Sequence, residues 1–169
     1  MIPLQDVVPT RQTPIATLAL IAVNIVAFWT DAGEPRTLLA APFAHTGAAP
    51  LVIGLVLLWL FGDNVEAALG RVGILLVYGV GGWLPPLGAA GAITAVMGSY
   101  FVLLPRSRIL TLVPFPPVLV EVPAAFFLAV WAALHVLRFV TEPRTIWAFG
   151  LAFLVGAGAA ALLRRPVSW

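Results

Sequence analysis

The sequence predicts an all-α integral membrane protein, a bundle of six transmembrane helices. Three observations carry this: an apolar composition with little charge, six apolar runs parted by short polar or proline-bearing breaks, and small residues at helical spacing in the fourth run. Of 169 residues, 62% are hydrophobic and 9% charged, and the mean hydropathy is +1.06. A soluble domain needs roughly 25% charged residues to face water, so lipid is the expected solvent. At ~20 residues per crossing, the spans use up the chain, and a single membrane domain over residues 1–169 is expected, with no separate soluble domain.

The first run covers residues 14–29, opened by Pro14 at a helix start and closed by Asp31, Gly33 and Glu34. The second covers 50–66 and ends in Gly62-Asp63-Asn64-Val65-Glu66, and the third covers 72–84. Pro85 and Pro86 break the helix there, because each ring removes a backbone donor and clashes with the preceding turn. The fourth run, 88–104, stops at Pro105-Arg106-Ser107-Arg108. The segment after it is apolar but interrupted by prolines, so the fifth run is set at 123–139 and the sixth at 145–163, closed by Arg164-Arg165-Pro166.

Charge orients the bundle. With an even number of spans both termini share a side, and Arg11, Arg71, Arg106, Arg108, Arg164 and Arg165 fall on it, against Arg36, Arg138 and Arg144. Arginine excess marks the cytoplasmic face, so cytoplasmic termini are expected, in a bacterial inner membrane. The net charge of +2 comes from arginines scattered at membrane borders, so no nucleic-acid partner is expected. Disulfides and thiolate chemistry are excluded by the absence of cysteine. The start of the chain, Met1 to Asp6, has no basic region and no convincing cleavage site follows the first run, so no cleavable signal is expected.

Small residues mark where helices approach closely. Gly88, Gly91, Ala95 and Gly98 line one face of the fourth run, and Gly150 and Gly156 supply a matching set on the sixth, so these two are expected to pack at the centre. Asp63, Asn64 and Glu66 are read as structural polar groups that cap and pin the inner end of the second helix. Asn24 is expected to hydrogen-bond between helices, and Trp29, Trp83 and Trp147 to anchor the outer border.

Met1-Ile2-Pro3-Leu4 with Pro9-Thr10-Arg11, then Leu60 to Glu66 with Gly70, Gly88 to Ile93 followed by Gly98-Ser99-Tyr100, Pro105 to Phe115, and Pro123-Ala124 with Trp131 stand in the order seen in rhomboids. Over essentially its full length the chain resembles the bacterial rhomboid intramembrane serine proteases, and the resemblance implies a six-helix rhomboid-like bundle. Active rhomboids are similar to one another in a Gly-x-Ser-Gly sequence opening the fourth span, whose serine attacks a peptide carbonyl. Here that sequence is Gly88-Ala89-Ala90-Gly91, and a methyl group has neither lone pair nor transferable proton. The position of the histidine base is Phe149, and a benzyl ring accepts no proton. In the family's His-x4-His-x3-Asn pattern of the second span, this chain has His45, Pro50 and Gly54, so the two oxyanion donors are gone. The resemblance thus implies a pseudoprotease with no catalytic residues.

No other nucleophile and base replace them. The histidines are His45 and His135, the serines Ser99, Ser107 and Ser168, and a Ser99–His135 pairing would be a different geometry on different helices. His45 is read as a relic of the family pattern, against a pigment or metal ligand; His135, an ionisable group within a span, as a helix-to-helix hydrogen bond, against a functional role. No metal and no cofactor are expected. The leading expectation is a non-catalytic scaffold, adaptor or assembly factor that binds transmembrane helices of partner proteins. The alternative is a permanent accessory subunit of a respiratory or photosynthetic membrane complex. An active intramembrane protease ranks below both, and a transporter is discouraged by scarce intramembrane charge and the lack of an inverted repeat.

Overall fold

In lipid a backbone must satisfy its own N–H and C=O groups, and this apolar chain does so mainly with helices. The computed structural model describes residues 2–6, 13–31, 40–85, 87–114 and 117–164. Arg11, Arg36, Pro86, Phe115 and Arg165, which entered the sequence reading, lie outside the described residues, as does the side chain of Arg138. In chain order the elements are strand β1 (Ile2–Asp6), helix α1 (Ile15–Asp31), a 3-10 turn (Ala41–Phe43), α2 (Ala48–Gly82), α3 (Ala89–Leu103), strands β2 (Arg108–Pro114) and β3 (Pro117–Pro123), α4 (Ala124–Thr141) and α5 (Arg144–Leu163).

The all-α expectation needs correction: β1, β2 and β3 form a three-stranded antiparallel sheet in that order. Its central strand turns Ile109 and Thr111 inward, both fully buried. Ser107 accepts a bond from the backbone of Ala124 at 3.0 Å, closing the hairpin onto the start of α4.

The six-span count is likewise not what the helices display. There are five helices among the described residues, of which α2 and α5 have the length and apolar composition to cross a membrane, while α1, α3 and the first part of α4 are shorter apolar helices. The second and third expected runs are one 35-residue element, α2, interrupted at Gly70 (φ 78°, ψ 170°). Contacts on either side show a reversal there. Gly54 lies against Ile93 and His45, and Gly82, at the far end of the element, lies against Pro42 and Ala92, so both ends of α2 meet the same end of α3. Gly70, at the bend, has a backbone conformation that side chains with a Cβ rarely adopt. Gly70→Ala should therefore lower stability by about 1 to 3 kcal/mol, read as a drop in unfolding midpoint in detergent.

The part of α2 just ahead of the bend is tied to α1. Gly62 lets α1 come so close that a Cβ there would sit 2.6 Å from Thr17 Cγ2. Glu66, 5% exposed, points at the first turn of α1 and accepts from the backbone of Ala16 (3.0 Å), the backbone of Thr17 (2.8 Å) and the Thr17 hydroxyl (2.9 Å). A helix start leaves N–H groups without intrahelical partners, and a carboxylate there also faces the positive end of the helix dipole. Glu66 thus caps α1, not the end of its own helix. Higher up, the Tyr78 hydroxyl donates to Asn24 Oδ1 at 2.9 Å, and the Asn24 amide donates to Leu20 O at 2.7 Å, which makes Asn24 the helix-to-helix bond its sequence position suggests.

Helix α3 is the centre. Its residues from Gly91 to Tyr100 are all buried, held between α2 and α5. A Cβ on Gly91 would collide with the Gly81 carbonyl, one on Gly98 with Phe153 O, and one on Gly156 with Ala95 O. The Ser99 hydroxyl donates across to Gly156 O at 2.8 Å. The lipid-facing surface carries Val26, Val72, Leu154 and Leu162, and Trp29, Trp83 and Trp147 are all exposed.

Candidate functional site

The start of α3 is stapled to the segment before α2. Gly88 (φ 55°) lets Ala44 O approach to 2.9 Å of where its Cβ would stand, and the backbone of Ala89 donates to Ala44 O at 3.1 Å. This brings the segment around His45 over the first turn of α3, and a cavity of about 240 Å³ opens between them. Ala44, His45, Thr46, Ala49, Pro50 and Ile53 line one side; Leu87, Ala90, Ile93, Trp131 and His135 line the other.

Ala90 and Pro50 therefore face one space. Gly54 lies just behind it, where a Cβ would meet Ile93 Cδ1 at 2.5 Å and His45 Nε2 at 3.7 Å. Phe149, on α5, packs with Leu87 and Ala152, and its ring centre is 4.5 Å from that of His135. Of the four positions, Ala90 and Pro50 line the cavity, Gly54 lies behind it, and Phe149 packs against the lining residues Leu87 and His135. Asp63 and Asn64 are elsewhere, within α2 ahead of the Gly70 bend, where Asp63 Oδ1 accepts from the backbone and side-chain amide of Asn64 at 2.7 and 3.2 Å. Among the packing residues one correction is needed: Gly150 is exposed, with nothing within 4 Å of a Cβ placed on it, because that face of α5 turns away from α3.

The two histidines, ninety residues apart in sequence, both line this cavity. His45 is 6% exposed and its Nδ1 is 2.9 Å from Phe43 O. A carbonyl only accepts, so Nδ1 carries the proton and Nε2 presents a lone pair. Among the described residues none donates to that buried Nε2. His135, 9% exposed, bonds through Nδ1 to Trp131 O at 2.8 Å and stacks edge-on against the Trp131 ring, centres 4.3 Å apart. Trp131 donates its indole N–H to Thr94 Oγ1 at 3.1 Å, and Thr94 donates to Ala90 O at 2.7 Å. Ala90 with Thr94 and Trp131 with His135 each stand four residues apart, the spacing that makes neighbours on one helix face. Ser99 is engaged with carbonyls of α3 and α5 and does not line the cavity, so a Ser99–His135 pairing has no geometric support.

Burial disfavours the imidazolium of His45 and lowers its pKa from the ordinary 6.5, more than the bond to Phe43 O raises it. The unfolded chain then takes up a proton first as pH falls, so this contribution to stability is full above 6.5 and is lost as pH drops below it. Measured across that range, the unfolding midpoint should fall less with acidification for His45→Gln than for wild type.

Among the described residues no three histidine, cysteine or acidic side chains gather as a metal site. No curated protein and no solved structure gives a significant match to the chain. The family model described as Rhomboid domain matches residues 32–166, which is most of the chain and contains the whole cavity. On that match, together with its apolar helices, the chain belongs to the rhomboid family and is a rhomboid-like membrane protein.

Proposed function

We propose that this protein is a pseudoprotease, a non-catalytic rhomboid that binds transmembrane helices of partner proteins as a scaffold, adaptor or assembly factor. The observation that carries the reading is the cavity at the start of α3, where Ala90 and Pro50 line the space and Phe149 packs beside it, so the positions of the family's nucleophile, oxyanion donor and base carry none of the groups acyl transfer needs. A cavity opening among packed apolar helices holds an apolar segment by shape and dispersion, without covalent chemistry. In this reading the two halves of α2, turning at Gly70, are separate crossings, which gives six with α1, α3, α4 and α5. Parallel running of α3 and α5 fits it: Phe149 sits by Leu87 at the start of α3, and Gly156 by Ser99 farther along. The β1–β2 pairing, which sets the strand ahead of α1 beside the segment that follows α3, supports a topology with both termini on one face, cytoplasmic by the arginine count, in a bacterial inner membrane.

The test is purification of the tagged protein from its native membrane in mild detergent, with mass spectrometry of what accompanies it. Several single-span proteins at low and varying ratios are expected. One large complex at constant ratio would overturn the adaptor reading and establish a permanent accessory subunit.

A further inference from the structure

Successive side chains of a strand point to opposite faces, so the register of β2 and β3 sorts their hairpin into two. Ile109 pairs with Val122 and Thr111 with Val120, which puts these four and Val118 on one face; Arg108, Leu119 and Glu121 share the other. The first face is buried where the hairpin leaves the bundle, at Ile109, Thr111 and Val122, and opens beyond it, where Val118 and Val120 stand 43% and 40% exposed. On the opposite face Leu119 is 59% exposed. The outer half of β3 thus presents apolar side chains in both directions.

A protein partner packed on a strand covers one face and leaves the other to water, whereas an apolar solvent covers both. Three further observations favour lipid as that solvent. Strand β3 runs directly into α4, where Phe126 and Val130 are exposed in turn, so the apolar surface of the hairpin continues that of a helix in a membrane protein. It is an edge strand bracketed by Pro117 and Pro123, and a proline has no N–H to offer an added strand. The charges gather toward the base, where Arg106 and Arg108 are exposed and Glu121 lies 3.4 Å from Arg108. Arginine stems lie along apolar surface with their heads at the level of water.

We propose that the outer half of the β2–β3 hairpin is set into the membrane interface, with Val118, Leu119 and Val120 at the boundary between headgroups and acyl chains and Arg106 and Arg108 at the phosphates. The edge N–H and C=O groups of β3 need water or headgroup partners, which limits insertion to that depth. Because the backbone of Ala124 donates to Ser107 O at the hairpin base, the lipid contact anchors the start of α4. This surface is separate from the cavity, and its lipid contact is independent of helix binding there.

The chain has no cysteine, so a single one carries a nitroxide to a chosen site in the full-length protein. In nanodiscs of phosphatidylcholine and phosphatidylglycerol, relaxation of the label by oxygen, which concentrates in lipid, is compared with relaxation by a water-soluble nickel chelate. Leu154→Cys, on the exposed apolar face of α5, and Glu142→Cys, exposed between α4 and α5, supply the lipid and water readings. Leu119→Cys and Val120→Cys, one on each face, should both give an oxygen-to-nickel ratio several-fold above that of Glu142→Cys. The proposal is overturned if either label reads as water, which would make the hairpin a free surface for a soluble partner. It is equally overturned if either is shielded from both reagents, which would place a second copy of the chain over it. Both sites are exposed and so tolerate the change; should Val120→Cys nonetheless not fold, Val118→Cys reads the same face.

Discussion

Replacing Glu66 with alanine should destabilise the folded protein by about 3 to 5 kcal/mol, the range for leaving a buried charge-assisted network without its acceptor. Two backbone N–H groups and one hydroxyl of α1 converge on that carboxylate at 2.8 to 3.0 Å, and alanine leaves all three without it, away from water. Glu66→Gln has the same shape and one remaining acceptor oxygen, so it should lose roughly half as much. Arg71 contributes little, because its Nε stands 3.9 Å away and its side chain is 64% exposed. Unfolding in detergent, followed by helicity, ranks the three proteins. If Glu66→Ala unfolded within error of wild type, the cap on α1 would not be what holds that helix.

The second large effect is expected at Gly156. Any Cβ there runs into the Ala95 carbonyl, so Gly156→Val forces α5 away from α3 and strains the Ser99 bond to the Gly156 carbonyl. Overpacking of this kind costs about 1 to 3 kcal/mol, and loss of the interhelical bond adds to it. Gly150→Val is the control on the same helix: its side chain would enter open space, and the change should stay within about 0.5 kcal/mol.

Glycine periodicity in the sequence pointed to both positions, and only the structure separates them. A small-residue spacing says that a face is narrow, but not which part of it a neighbour crosses, and α5 turns its Gly150 face away from α3. The helices themselves were legible because apolar runs end at proline and charge: the ends of α1, α3, α4 and α5 fall within about two residues of the expected runs. In α2 the expected break stands a few residues early, since Asp63 to Glu66 resembled a span ending, whereas the helix carries those groups on to Gly70 and buries Glu66 against α1. The sheet was missed for a different reason. Strands β2 and β3 are apolar on both faces and proline-rich, and β2 completes its pairing with Ile2–Asp6, about a hundred residues earlier, which no local pattern announces. The family resemblance singled out Ala90 and Pro50, and the structure brings both to one cavity. The cavity's second histidine was not legible, because only folding brings His135 from α4 beside the cavity that His45 lines.

A rhomboid scaffold without rhomboid chemistry leaves uncut, in liposomes, a transmembrane substrate that an active rhomboid cleaves. Mass spectrometry of the products supplies the readout. No cleavage is expected at any protein ratio. A specific product, lost on substitution of His45 or His135, would contradict it and place an unrecognised base in this cavity.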